Sequence, residues 1–362
     1  MSYSLMSQKA PYYKRRSDFE VMSVKAVGLY KYLPIANPDS LQDVVVEKPQ
    51  AKGHDLLVAV KAISVNPVDT KVRAPKDAVE TEPKILGWDA AGVVVAVGEQ
   101  VSAYQPGDEV YYAGDITRVG SYCEYQLIDE RIVGRKPKML SFAEAAALPL
   151  TTITAWEALF DRLGVSASGA DAGKSVLIVN GAGGVGSVAI QLAKQVAKLT
   201  VIASASRKET VSWCKALGAD ETVNHRHDLA VELSSIGYEN VDYILCFNDT
   251  DGHWAAMTKA IRPQGMICSI VENQAPLDMG ALKSKSAGFV WEFMFTRSMY
   301  ETADMGEQQA LLNRVSELAD KGVVKTTCRE VVERINAANL RDVHAKIEAG
   351  KTIGKIVLSG WE

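Results

Sequence analysis

At 362 residues, with 47% hydrophobic and 23% charged side chains, the chain has the composition of a soluble globular protein with two or three domains. Its net charge of −4 gives no general attraction to nucleic acid or to an anionic membrane. Its longest compact apolar runs, such as Val93–Val97, fall far short of the ~20 residues a membrane-spanning helix needs.

Residues 1–21 are polar and aromatic, with Lys14-Arg15-Arg16 inside them. They lack the apolar core of a secretory signal and read as a disordered extension, or as sequence upstream of a start at Met22. The five cysteines, Cys123, Cys214, Cys246, Cys268 and Cys328, are odd in number and widely spaced. That argues against a disulfide framework and for a cytoplasmic protein.

From Val24 the pattern is strand-like. VKAVGLY, DVVVEKP and HDLLVAVKAISV are followed by Ala90–Val97, Asp108–Tyr112 and Ser121–Ile128, with a Pro-Gly-Asp turn at Pro106–Asp108. Alternation between turn residues predicts an antiparallel β region of about 120 residues. At Ser141 the period changes. Ser141-x-x-Glu144 is a capping box, and Thr151–Leu163 reads as a helix.

Ser175–Val179 is a short β-branched run, predicted as a strand. Gly181-Ala182-Gly183-Gly184-Val185-Gly186 follows, and then apolar residues at helical spacing, Val188, Ile190, Leu192, Ala193 and Val196. Strand, glycine turn and helix in that order are the context a dinucleotide fingerprint requires. Gly181 permits a tight turn, Gly183 lets backbone approach a pyrophosphate, and Gly186 lets helix pack on strand. The N–H groups of Gly184 and Val185 then open a helix whose positive end faces phosphate. Five further strands are predicted at 199–203, 221–224, 241–246, 265–270 and 288–293, with helices between them. Gly218 is a helix stop. The fold class is therefore α/β, a doubly wound parallel sheet joined to an antiparallel β domain. Helices at 307–321 and 336–348 and a final strand at 354–358 close the chain.

These residues together resemble the medium-chain dehydrogenase/reductase superfamily, in its quinone-oxidoreductase-like branch and the group of zinc-type alcohol dehydrogenase-like proteins. The carriers are AISVNPVDTKVR (62–73), LGWDAAGVVVAVG (86–98), PGDEVYY (106–112), FAEAAALPLTTITAWEAL (142–159), NGAGGVG (180–186), WEFMFTRSM (291–299) and the terminal GKIVL. The resemblance implies a chaperonin-10-like (GroES-like) catalytic domain from residues 22–145 and 299–362, with a Rossmann domain from 146–298 inserted in it. It also implies a homodimer.

Zinc-dependent members of that family carry a Cys where this chain has Asn66 and a GHE motif where it has Gly87-Trp88-Asp89. The third ligand and the four-Cys zinc loop have no counterpart. No zinc is expected, because Asp69 and Asp89 alone do not make a catalytic set. A metal held by Asp69, Asp89 or His54 in an atypical alcohol dehydrogenase remains an alternative. So does a nucleotide-binding protein without catalysis.

An NAD site needs an acid about 20 residues after the glycine turn. Here stand Ser204-Ala205-Ser206-Arg207-Lys208. Ser204, Ser206, Arg207 and Lys208 suit a 2′-phosphate, which points to NADPH. By resemblance, Thr154 and Asn66 line the nicotinamide end, Phe247 and Asn248 lie along the ribose, and Ile270 contacts the nicotinamide. Without a metal, hydride transfer to a quinone or an α,β-unsaturated carbonyl needs only hydrogen-bond donors for the developing oxyanion. Asn66, Tyr111 and Tyr112 are the candidate donors, and alternation allows only one of the tyrosines to face the cleft. Trp88, Trp291 and Phe293 are candidates for an aromatic wall around a small flat substrate.

Overall fold

The computed structural model describes residues 22–361. The reading of residues 1–21 as an extension lies outside the described residues.

In chain order the strands are β1 Ser23–Tyr32, β2 Gln42–Glu47, β3 Asp55–Ser64, β4 Lys76–Ile85, β5 Ala90–Val97, β6 Glu109–Tyr112, β7 Tyr125–Asp129 and β8 Val133–Arg135. Then come β9 Ser175–Val179, β10 Thr200–Ser204, β11 Glu221–Val223, β12 Val241–Cys246, β13 Ile261–Ser269 and β14 Gly288–Trp291, and finally β15 Cys328–Glu333 and β16 Lys355–Ser359. They form three sheets.

The six-stranded sheet has the order β11-β10-β9-β12-β13-β14, and every neighbouring pair is parallel. The order reverses at β9, so a crevice opens beyond the carboxyl ends of β9 and β12, the usual ligand position in such sheets. β9 shows why the sheet is covered on both sides. Val176 and Ile178 join one apolar core, while Leu177 and Val179 join another with Trp254, Met257 and Leu282. A strand buried on both faces needs this unbroken apolar run. Gly218 ends its helix at φ 113°, a left-handed conformation that glycine adopts without penalty.

The β-rich part holds a sheet of order β15-β16-β3-β5-β6-β8, with β7 also on β3, and a smaller sheet β2-β1-β4. β16 runs antiparallel to β3, with Val357 opposite Ser64. The end of the chain thereby returns to the sheet begun by its first hundred residues. One continuous apolar core spans this sheet, the helix Pro149–Trp156 and one face of the parallel sheet. The predicted helix at 151–163 begins as α-helix at Pro149 and continues as a π-helical turn, Glu157–Arg162. Such turns are rare and recur at functional sites. No helix among the described residues is long and apolar enough to cross a membrane.

Candidate active site

The glycine turn is built for close approach. Asn180, the residue after β9, sits at φ 65°, a left-handed conformation that asparagine tolerates better than most residues. A Cβ on Gly186 would stand 2.3 Å from the Asn180 carbonyl, and one on Gly181 would stand 2.8 Å from the Ala203 side chain. Gly183, Gly184 and Val185 are partly open to solvent at the start of the helix Gly184–Gln191. β12 is in register with β9 and β13, with Cys246 opposite both Val179 and Ser269. That register sets Phe247 and Ile270 beside the turn. Phe247 is buried, Asn248 exposed and Ile270 half-buried. A cradle without side chains at a helix N-terminus, at the switch point of a parallel sheet, fits a dinucleotide pyrophosphate.

At the end of β10 the structure divides the predicted phosphate-binding residues. Arg207 is half-buried, Ser206 is half-buried and Lys208 is exposed. Arg207 donates from Nη2 to the Lys351 carbonyl at 2.8 Å. Ser204 does not belong with them. It is buried, accepts the Asn180 N–H at 2.9 Å and lies 3.2 Å from His225 Nδ1. The side chain of the last residue of the strand points at the turn.

Across from the turn lies a buried polar cluster. Lys355, the first residue of β16, is nearly inaccessible. Its aliphatic stem passes beneath the turn, because a Cβ on Gly184 would stand 2.9 Å from Lys355 Cδ. Its ammonium donates to the Val65 carbonyl at 3.0 Å, to Asp89 Oδ2 at 3.2 Å and to Asn66 Oδ1. Asn66 Nδ2 donates to Asp89 Oδ2 at 2.8 Å. Asp89 Oδ1 accepts the Leu150 N–H at 2.8 Å, at the start of the helix Pro149–Trp156. Only donors approach Asp89, so it serves as a carboxylate even though burial raises its pKa.

Asp69 opens the short helix Pro67–Arg73 and reaches back to the Asn66 N–H at 2.8 Å. It also accepts from Tyr122 at 2.9 Å, and Tyr122 Oη lies 3.1 Å from His344 Nε2. Burial lifts the Asp69 carboxyl to about 7 against the pull of the Asn66 N–H, Lys355 and Tyr122. Burial holds His344 down to about 3, so its ring is neutral.

The other predicted donors fare differently. Tyr111 is fully buried and gives its hydroxyl to the Leu312 carbonyl at 2.6 Å. It is not free to serve a substrate. Tyr112 is equally buried, and its hydroxyl has no partner. Thr154 is buried in mid-helix, its hydroxyl on the Leu150 carbonyl at 2.8 Å.

The proposed aromatic wall is two separate ladders. Trp88, its indole N–H on the Asp115 carbonyl at 3.0 Å, packs edge-on to Phe295, and Phe295 packs on Phe293. Trp291 packs instead on Phe289, its neighbour on the outer strand β14, and Phe289 leads to Trp254 on the helix Thr250–Ala260. Trp88 is buried, whereas Phe293 and Trp291 are exposed. Sequence reasoning missed Lys355. Its signal was a lysine opening an otherwise apolar strand.

Among the described residues no three His, Cys, Asp or Glu side chains gather into a metal-holding group. His54 pairs with Glu130 at 3.1 Å. The cluster at Asn66 does not suit zinc, since an ammonium already stands against Asp89 and Trp88 offers no lone pair.

Two family models match the chain. One is described as alcohol dehydrogenase GroES-like domain, over residues 52–150, and the other as zinc-binding dehydrogenase, over residues 217–358. A zinc-type alcohol dehydrogenase-like protein of Staphylococcus epidermidis is 41% identical over 338 residues, covering 93% of this chain and 99% of that one. The 2-methylene-furan-3-one reductase of Solanum lycopersicum is 33% identical over 86% of this chain and 74% of its own. A solved structure from Rhizobium etli CFN 42, provisionally described as a zinc-dependent alcohol dehydrogenase, superposes with a TM-score of 0.90 at 50% identity, over 94% of this chain and 99% of that one.

Proposed function

The chain belongs to the medium-chain dehydrogenase/reductase superfamily, among its zinc-type alcohol dehydrogenase-like proteins, and on that premise we propose that this oxidoreductase is a metal-free, NADPH-dependent reductase of quinones or α,β-unsaturated carbonyls. One observation carries the reading. Asn66, which stands where zinc-dependent members carry a Cys, and Asp89, a carboxylate open to a metal in the alternative reading, are instead joined through the ammonium of Lys355, directly beneath the glycine turn. A fixed cation of the chain repels a dication and takes up the lone pairs a metal would need.

NADPH, when bound, supplies a hydride to the electron-poor carbon of the double bond. The chain's own residues do the rest. The glycine turn and its helix hold the pyrophosphate. Arg207 and Lys208 follow β10 and would meet a 2′-phosphate there, and no acid in that stretch favours the free hydroxyl. As the C=C electrons move onto the carbonyl oxygen, the Asn66 amide N–H meets the developing charge. The resulting enolate takes its proton from water. The reductase activity of the Solanum lycopersicum relative supports this substrate class.

The test is initial-rate oxidation of NADPH and NADH with a panel of quinones and enones, alongside metal analysis of the purified protein. We expect turnover with NADPH, a clear preference over NADH, and no stoichiometric zinc. Arg207→Ala weakens NADPH binding about tenfold, in line with one charge-assisted contact, and leaves NADH binding within about twofold. A preference for NADH, stoichiometric zinc, or no turnover of any acceptor overturns the reading.

A further inference from the structure

We infer that Lys355 and Asp89 act as positioning residues that fix and polarise the Asn66 carboxamide, making its weakly engaged N–H the oxyanion donor of the site. The inference rests on the reductase reading above.

The orientation of an asparagine amide follows from its partners, because oxygen only accepts and nitrogen only donates. Here both partners are unambiguous. Lys355 has no acceptor, so the atom facing it is Asn66 Oδ1. Asp89 receives donors on both oxygens, so the atom facing it is Asn66 Nδ2, at 2.8 Å. The amide cannot flip without setting an NH2 against an ammonium and a carbonyl oxygen against a carboxylate.

The three ammonium hydrogens of Lys355 meet three acceptors, on Val65, Asn66 and Asp89. Lys355 therefore has no hydrogen left for a substrate and acts through Asn66. The second Asn66 N–H is engaged only at 3.4 Å, by the Ser64 carbonyl. It is the one weakly held donor of the cluster. An ammonium on the amide oxygen draws electron density from the nitrogen and strengthens that N–H as a donor, as chained hydrogen bonds do in a low-dielectric interior. Asn66, Lys355 and Asp89 are all almost wholly buried, so neither the charge nor the geometry is screened by water.

The arrangement also ties the donor to the cofactor site. The Lys355 stem supports Gly184, and the Gly354 N–H donates to the Ala182 carbonyl at 2.9 Å. The strand that sets Asn66 thus underlies the turn that would hold the pyrophosphate.

The test is a cycle of variants. Lys355→Met alone would strand Asp89 as an unpaired buried charge, so it is combined with Asp89→Asn; Met keeps the stem under Gly184. For enone reduction we expect Asn66→Ala to lower kcat about 100-fold and Lys355→Met/Asp89→Asn to lower it about 10- to 100-fold. The triple variant is expected to match Asn66→Ala within about threefold, since residues acting through one another are non-additive. The double variant should bind NADPH within about threefold of wild type.

A second measurement does not depend on turnover. The Asn66 side-chain amide resonance, assigned by its loss in Asn66→Ala, should move upfield in the double variant as the amide loses its polarising partner. Additive losses in kcat, an unimpaired double variant, or an unmoved resonance each overturn the inference. If the wild type reduces no quinone or enone, the reductase reading fails, and the resonance alone still decides whether Lys355 polarises Asn66.

Discussion

The helix that starts at Pro149 and ends through its π turn at Arg162 carries a buried charge cluster at each end. At its start the Leu150 N–H donates to Asp89, which shares Lys355 and Asn66. At its far end Glu157 accepts from Arg297 at 2.7 Å, and Arg162 donates to Glu292 at 2.8 Å. Asp161 and Asp304 also reach Arg297. The first cluster matches donors to acceptors around one ammonium. The second sets four carboxyls against two guanidiniums, and burial pushes both Glu157 and Glu292 upward. One oxygen of each of these two glutamates has no other hydrogen-bond partner, which suits a proton shared between them. The difference teaches how to tell a site from a clamp. The near cluster borders the glycine turn and leaves one donor weakly engaged. The far cluster ties the helix to the segment after β14, away from the turn.

The largest effect expected is on the far cluster. Arg297→Met removes the main partner of a buried carboxylate and should cost about 3–5 kcal/mol of stability, read by chemical denaturation. Assayed well below its unfolding midpoint, the variant should keep kcat within about threefold. A fall in kcat with unchanged stability would erase the distinction between the two ends.

Asp69, next to the near cluster, gives the next effect, of a few kcal/mol, and it has a pH signature. Its folded pKa of about 7 lies above the 3.8 of the free side chain. Between these values the folded state binds the extra proton. Its contribution is therefore complete below about pH 4 and is lost as pH rises through about 7. Asp69→Asn keeps an oxygen for the Asn66 N–H and the Tyr122 hydroxyl, and should flatten the stability profile across that window. The charged groups facing Asp69 are Lys355 and Asp89, with Tyr122 and Asn66 as its hydrogen-bond partners. A profile as steep as the wild type would place the responsible proton elsewhere, and Glu292 would be the next group to substitute.

How much of this could be read from the sequence follows burial. β9 and β12 were legible to the residue, because both faces are apolar and turn residues bound them. The capping box at Ser141 and the stop at Gly218 were legible because they are local. β4 and β15 escaped notice. KDAVETEPKI is polar and mostly exposed, and CREVVE has one exposed face, so their strand character comes from pairing with β1 and β16. The site divides the same way. The glycine turn is contiguous and could be recognised, whereas Lys355 meets Val65 and Asn66 across 290 and 289 positions. Ser204 was grouped with Ser206, Arg207 and Lys208 by loop order, whereas the pleat turns its side chain inward onto the Asn180 N–H.

The smallest expected effect lies between the two clusters, at Thr154. Its hydroxyl donates along the helix to the Leu150 carbonyl, which leaves its oxygen lone pairs free to accept. If function fades along the helix from Asp89 toward Glu157, Thr154→Ala should fall in the middle. Loss of one neutral hydrogen bond is worth about 1 kcal/mol, so NADPH binding should weaken about fivefold, read by quenching of protein fluorescence. Stability should change by less than about 1 kcal/mol, because the residue retains helix propensity as alanine. Stability loss with unaltered NADPH binding would assign Thr154 to packing, and the functional end of the helix would then stop at Leu150.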